Sequence, residues 1–247
     1  MEKLILLSFL CSSLLLSAQE QGAITYEQVT QLKIELEGEM AAIMKDLPTE
    51  NKSQFVLYRS GNEIIYKNLE ESDNEDVHIA QEGDIQMDFR IQMPENILYV
   101  DLENNETVEQ KEFLGKKFLI KGNVKDHQWK LTGKSKMVLD YPCQQAILQD
   151  TSQQVTAWFA PTIPWQLGPQ DFHGLPGLIL ELEMADTDRV IKATNISMEP
   201  IEQKLEKPKK GKAVTQDEFE KIRDEKMKEM GATKSGNTAV KMIIRSN

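Results

Sequence analysis

The sequence predicts a mainly β protein built on an antiparallel sheet, with one surface helix near its C-terminus. Three observations carry this expectation. From residue 53 to residue 198, short apolar-polar segments recur at regular spacing with turn residues between them, the pattern of a sandwich, a barrel or a strongly curled sheet. Gly61-Asn62 lies between QFVLYRS and NEIIYKN, and a Gly-Asn pair between β-branched and aromatic runs marks a hairpin. Nowhere do strands alternate with helices in the way that builds a parallel nucleotide-binding sheet.

The N-terminus has the layout of a secretory signal. Lys3 supplies a positive start, Leu4 to Leu16 an apolar core, and Ser17-Ala18 a small-residue exit before Gln19. That run is shorter than the ~20 apolar residues of a membrane span, so cleavage is predicted and no transmembrane segment should remain. Cys11 raises lipidation as an alternative. Leu10, where lipoprotein signals carry a small residue, and the apolar run beyond Cys11 argue against it. The expected organisation is a signal peptide over 1–18, an antiparallel β domain over 19–201, and a charged connector, helix and possible last strand over 202–247.

Gly22 to Lys33 alternates well enough for a first strand, with Ile24, Tyr26 and Val29 facing inward. Tyr26 and Val29 are out of strict phase, which calls for a bulge or a change to helix near Gln28. Ile34 to Asp46 fits either a helix or a continuing strand, Gly38 weakening the helix. In the hairpin that follows, Phe55, Leu57 and Arg59 share one face, and Val56 and Tyr58 the other. Residues 69–79, LEESDNEDVHI, read as a solvated acidic loop. Acidic oxygens suit calcium, but the central glycine and terminal glutamate of a calcium loop are missing.

Further strands are predicted in DIQMDFRIQ, NILYVDLE, TVEQKEFL, KKFLIKGN, QWKLTGKSKMVLDYP, QQAILQD and QVTAWFAP, then in a hairpin around Asp186-Thr187-Asp188. Glu202 to Lys212 is charged, contains Pro208, and reads as an exposed connector. Thr215 and Glu218 form a capping box that opens a helix. Phe219, Ile222 and Met227 give it only a thin apolar stripe, so it should lie on the surface. AVKMIIRSN at the C-terminus is expected to close or edge the sheet.

The formal charge of −11 disfavours nucleic-acid partners, whose phosphates need Lys and Arg. After signal removal Cys143 is the one cysteine left, so an intramolecular disulfide is impossible, and a small buried thiol is expected. Cys143, His173 and Asp171 supply the residue types of a nucleophile, base and orienter, although turn and packing roles explain each of them. His127, His173 and Asp171 lack local metal-ligand spacing, and neither a metal nor a cofactor is expected.

Trp158 to Glu183 holds four of the nine prolines and three of the thirteen glycines, punctuation that marks a long shaped loop between two strands. Leu175, Leu178 and Ile179 are expected to insert into the core, making the loop a plug more than a ligand rim. The candidate ligand-binding or loop-defining residues are Trp158, Trp165, Phe172, Leu175 and Pro176.

Within this loop Gly174-Leu175-Pro176-Gly177-Leu178-Ile179 resembles the signature of the GLPGLI family of exported Bacteroidetes proteins. Tyr141-Pro142-Cys143, Ala146, Ala157-Trp158-Phe159, Ile163-Pro164, Gly168-Pro169 and Phe172 fit the same pattern, which spans about residues 127 to 184. Gln145 departs from it, standing where members often carry a basic residue. The resemblance implies an envelope protein, in the periplasm or outer-membrane-associated, or else secreted. It also implies a curled sheet or half-barrel similar to the periplasmic lipoprotein carriers, with room for one small apolar ligand and no catalytic residue. The expected function is non-catalytic binding of a lipid or acyl chain. An accessory interaction protein of an outer-membrane complex is the alternative, and a cysteine-dependent hydrolase ranks third.

Overall fold

A computed structural model of the chain describes residues 20–31, 49–69, 76–79, 87–90, 95–150, 153–229 and 242–244. In chain order the strands are β1 (Gln21–Gln31), β2 (Glu50–Ser60), β3 (Glu63–Asn68), β4 (Asp76–Ile79), β5 (Met87–Arg90), β6 (Asn96–Asp101), β7 (Glu106–Phe113) and β8 (Lys116–Gly122). They continue as β9 (Trp129–Val138), β10 (Tyr141–Leu148), β11 (Val155–Ala160), β12 (Leu178–Met184), β13 (Arg189–Ser197) and β14 (Lys212–Val214). Helix α1 (Gln216–Glu229) and β15 (Met242–Ile244) follow. The expected signal peptide and the stretch from Ile34 to Asp46 lie outside the described residues, as does most of the acidic loop.

Twelve strands form one open sheet in the order β14-β8-β7-β6-β3-β2-β1-β13-β12-β11-β10-β9. Every pairing is antiparallel except β14 on β8. The chain starts in the middle at β1, meanders outward to β8, then crosses to the far end at β9 and meanders back to β13. Residues 123–128 make that crossing. Fully extended they reach only ~25 Å, whereas ten strand spacings of ~4.8 Å would hold β8 and β9 about 48 Å apart in a flat sheet. The sheet therefore curls until its two ends approach, without bonding to each other.

The turns follow from local chemistry. Ser60 pairs with Glu63, and Gly61 takes φ 60 at the first position of a two-residue turn, where a side chain would be strained. A single 3-10 turn at Ala185–Thr187 joins β12 to β13. β1 differs from expectation in one respect. Its inward face is Gly22, Ile24, Tyr26 and Gln28, and Val29 points the other way. The irregularity sits on the partner strand, because Thr25 pairs with Asn195 and Tyr26 with Ala193. The extra residue is Thr194, so β1 keeps its own alternation.

The concave face carries the main core, including Ile24, Tyr26, Phe55, Leu57, Phe159, Leu178 and Leu182. Ile65, Tyr99 and Tyr58 lie on the convex face beneath Leu205 and Ile201. The connector over 202–212 is thus exposed along most of its length but anchored, by Leu205 and by Lys207 pairing with Glu106. β14 then joins the sheet edge, and α1 packs Phe219 against Phe118 and Ile120. Its capping box is formed: the Glu218 amide donates to Thr215 Oγ1 at 3.2 Å, and the Thr215 amide to Glu218 Oε2 at 2.9 Å. β15 edges a separate three-stranded sheet with β5 and β4, so the expected last strand does not close the main sheet. Among the described residues, no helix is long and apolar enough to cross a membrane.

Candidate functional site

Residues 161–177 leave β11 and fold into the concave face before β12 begins. Ile163, Trp165 and Leu167 alternate inward while Thr162, Pro164 and Gln166 stay exposed, the period of an extended chain. The loop is tied to its own exit strand: the Leu178 amide donates to the Ile163 carbonyl and the Ile179 amide to the Leu167 carbonyl. From the opposite wall, the Tyr26 hydroxyl donates to the Ile179 carbonyl at 2.8 Å. Gly177 is required by contact, since a Cβ there would lie 2.3 Å from the Ala160 carbonyl oxygen.

The five candidate residues separate on this frame. Trp165 is 1% exposed, lies against Gly22, and has the Arg59 guanidinium over its ring at 5.1 Å. Leu175 is buried and Pro176 exposed. Trp158 belongs to a charged cluster, donating from Nε1 to Glu183 at 2.8 Å with Lys136 Nζ 4.2 Å over its ring. Phe172 alone of the five lines an open cavity.

That cavity, of about 260 Å³, occupies the half of the concave face that the loop leaves free. Alternating residues of neighbouring strands form its floor: Ile64 and Tyr66 on β3, Leu98 and Val100 on β6, Thr107 and Glu109 on β7. Leu167 to His173 wall one side, residues 121–125 cross it, and Gln216 at the start of α1 reaches it. Most of its charges are already paired. Lys111 meets Glu109 at 2.9 Å and Lys125 meets Asp171 at 2.7 Å.

Three buried atoms at the cavity have no such partner, the acceptor Asn96 Oδ1 and two donors. The Tyr66 hydroxyl and Arg189 Nε are both buried and make no hydrogen bond among the described residues. Tyr66 is 4% exposed and stacks on Phe55 with centroids 5.1 Å apart. Burial pushes its phenol well above the usual tyrosine value, with Tyr26 adding and Arg189 opposing. Burial likewise pulls the Arg189 guanidinium below its usual value, against the effect of Tyr66. Neither residue stands out in the sequence, because an arginine opening a strand reads as an ordinary surface cation.

The structure brings His127, His173 and Asp171 together, though not as ligands. Nε2 of His127 lies 3.0 Å, and Nδ1 of His173 2.8 Å, from the Asp171 backbone carbonyl, while the Asp171 carboxylate goes to Lys125. His127 stacks on Phe172 at 5.2 Å, and Trp129 Nε1 donates to the His173 carbonyl at 2.8 Å. These contacts anchor the loop to the β8–β9 crossing. Burial pulls the His127 pKa below its ordinary value even though Asp171 pulls the other way. Asp171 is raised by burial, but Lys125 and His127 outweigh this and hold it below the usual carboxylate range. Among the described residues, no group of three or more His, Cys, Asp or Glu is placed to hold a metal.

Cys143 stands apart from this cluster. Its thiol is buried, approaches the Tyr141 carbonyl at 3.6 Å, and is pushed up to about 11 by burial. No hydrogen bond joins it to His173, so the nucleophile–base pair that the residue types allowed is not assembled.

Comparison with known proteins places the loop, and then the fold. The model of a family described as "Protein of unknown function (Porph_ging)" matches residues 149–181. No curated protein matches the chain. Two crystal forms of PNGF-II are similar in fold, each at a TM-score of 0.52, with 13% and 14% identity over 82% of this chain. The chain spans about a third of the length of those proteins.

Proposed function

We propose that the chain is an exported, non-catalytic binding protein of the cell envelope that takes a small apolar ligand, such as a lipid acyl chain, on its concave face. The cavity carries this reading: Ile64, Leu98, Val100, Leu167 and Phe172 bring apolar surface to a concave site. Its volume lies just below the ~300–1,000 Å³ of ordinary ligand pockets, which suits a small molecule or one end of a chain. The N-terminal signal pattern and the residues shared with the GLPGLI family support the envelope location. A buried, protonated Cys143 counts against the hydrolase alternative, since the thiolate is the nucleophile.

Binding of the neutral dye Nile red tests the reading. The protein is expected to enhance its fluorescence saturably, and Val100→Phe, which fills the floor, to lower the affinity about tenfold while the protein stays folded. Absence of saturable binding by the unsubstituted protein would rule the reading out.

An accessory role in an outer-membrane complex is favoured by a different observation. Leu131, Met137 and Ile147 are exposed on β9 and β10, at an end of the sheet where β9 has no further neighbour among the described residues. Unpaired edges with apolar side chains are templates for another chain. A photocrosslinker at position 137 would then capture a discrete envelope protein in cells, and finding no specific adduct would exclude this reading.

A further inference from the structure

We infer that the cavity recognises a ligand whose apolar chain ends in a single carboxylate, held by Arg189 and Tyr66. This rests on the apolar-ligand reading above and assigns its head group. Arg189 begins β13 and reaches a cavity floored by β3 and β6. Its Nε is buried without a hydrogen bond, and no carboxylate pairs with it among the described residues. The other cations of the lining are paired, Lys111 with Glu109 and Lys125 with Asp171, or exposed to solvent, as Lys121 is. A buried guanidinium nitrogen without an acceptor is costly, and an unsatisfied buried hydroxyl adds to that cost. Finding two unmet donors at one cavity, beside the one unmet acceptor Asn96 Oδ1, in a chain of formal charge −11, points to a missing anion.

The donors also define what that anion is. Arginine presents a planar fork that suits carboxylate oxygens, and the phenol adds one O–H donor. Arg189 is the one cation of the lining with a buried nitrogen lacking an acceptor, and one carboxylate balances it. A phosphate monoester brings ≈ −1.5 to −2, more than the single buried guanidinium offsets. Beyond the head, Ile64, Leu98, Val100 and Phe172 supply the apolar wall for a chain. Recognition involves no bond making or breaking.

Calorimetric titration with octanoate, 1-octanol and octyl phosphate tests this on the full chain. Octanoate is expected to bind about tenfold more tightly than octanol, as a charge-assisted bond predicts. Arg189→Met should remove that preference and leave octanol binding unchanged. It should also raise the Tm of the empty protein, because the unsatisfied buried nitrogen is gone. Tyr66→Phe keeps the ring that stacks on Phe55, should weaken octanoate selectively, and should leave the empty protein at least as stable. Equal binding of octanoate and octanol would overturn the carboxylate assignment while leaving the apolar site standing. Tighter binding of octyl phosphate, or a lowered Tm in Arg189→Met, would also overturn it. Binding of none of the three would remove the apolar-ligand reading together with it.

Discussion

Burial decides what Cys143 and the tryptophans can do. Cys143 is 1% exposed and its thiol is pushed up to about 11, so at neutral pH it is a small core group with a proton. Folded protein is therefore expected to react negligibly with a thiol reagent at pH 8, and to label fully in denaturant. Labelling that ran ahead of unfolding would show that the thiol is open to solvent. Trp158 and Trp165 are recognisable in the sequence as large anchors beside prolines and glycines, but not the face each takes. Trp165 plugs the core against Gly22, whereas Trp158 carries the Lys136 and Glu183 cluster. Arg189 and Tyr66 were illegible for another reason. An unmet hydrogen bond is a property of the neighbours, and none of those neighbours is close in sequence.

The loop over 161–177 behaves as an element although it is neither helix nor strand. Its prolines and glycines mark it in the sequence, and its backbone bonds to β12 explain the fixed shape. The anchor supplied by the crossing segment depends on His127. With a pKa held below the ordinary ~6.5, His127 stays neutral in the fold while the unfolded chain takes up a proton. Its contribution to stability is complete above pH ~6.5 and is lost as pH falls through the folded value. Asp171, whose pKa is also lowered, contributes its own loss only at lower pH, below the usual carboxylate range. The denaturation midpoint is thus expected to fall between pH 7.5 and pH 5.5, and to fall less in His127→Gln. Equal pH dependence in the two proteins would place the responsible group elsewhere.

For the whole molecule, curvature comes from connectivity. The short crossing between β8 and β9 brings the sheet ends toward each other, the loop fills one half of the concavity, and the other half remains as the cavity. The tail completes this arrangement by wrapping the β8 edge: Leu205 covers Tyr99 on the convex side, β14 pairs at the edge, and α1 seats Phe219 near the cavity. Phe219→Ala is expected to cost about 3 kcal/mol in denaturant unfolding, because the cluster it shares with Phe113, Phe118, Ile120, Val214 and Ile222 loses its buried ring. A loss under about 1 kcal/mol, the level of an ordinary surface change, would show that the helix is not part of the cooperative unit.

Most strands, most of their turns, the capping box of α1 and the place of the shaped loop are legible in the sequence alone; β4, inside the stretch read as an acidic loop, and β14 are not. Each legible feature depends on alternation, glycine conformation or side-chain capping over a few neighbouring residues. The folded sheet settled that the bulge of the β1–β13 pair lies on β13 and that the connector is pinned by Leu205. It also decided that Cys143 and His173 remain apart, while Tyr66 and Arg189 meet at a cavity. These outcomes depend on which distant strands become neighbours, and in this sheet the first strand pairs with the thirteenth. Local periodicity carries no information about that pairing, and the candidate site is built almost entirely from it.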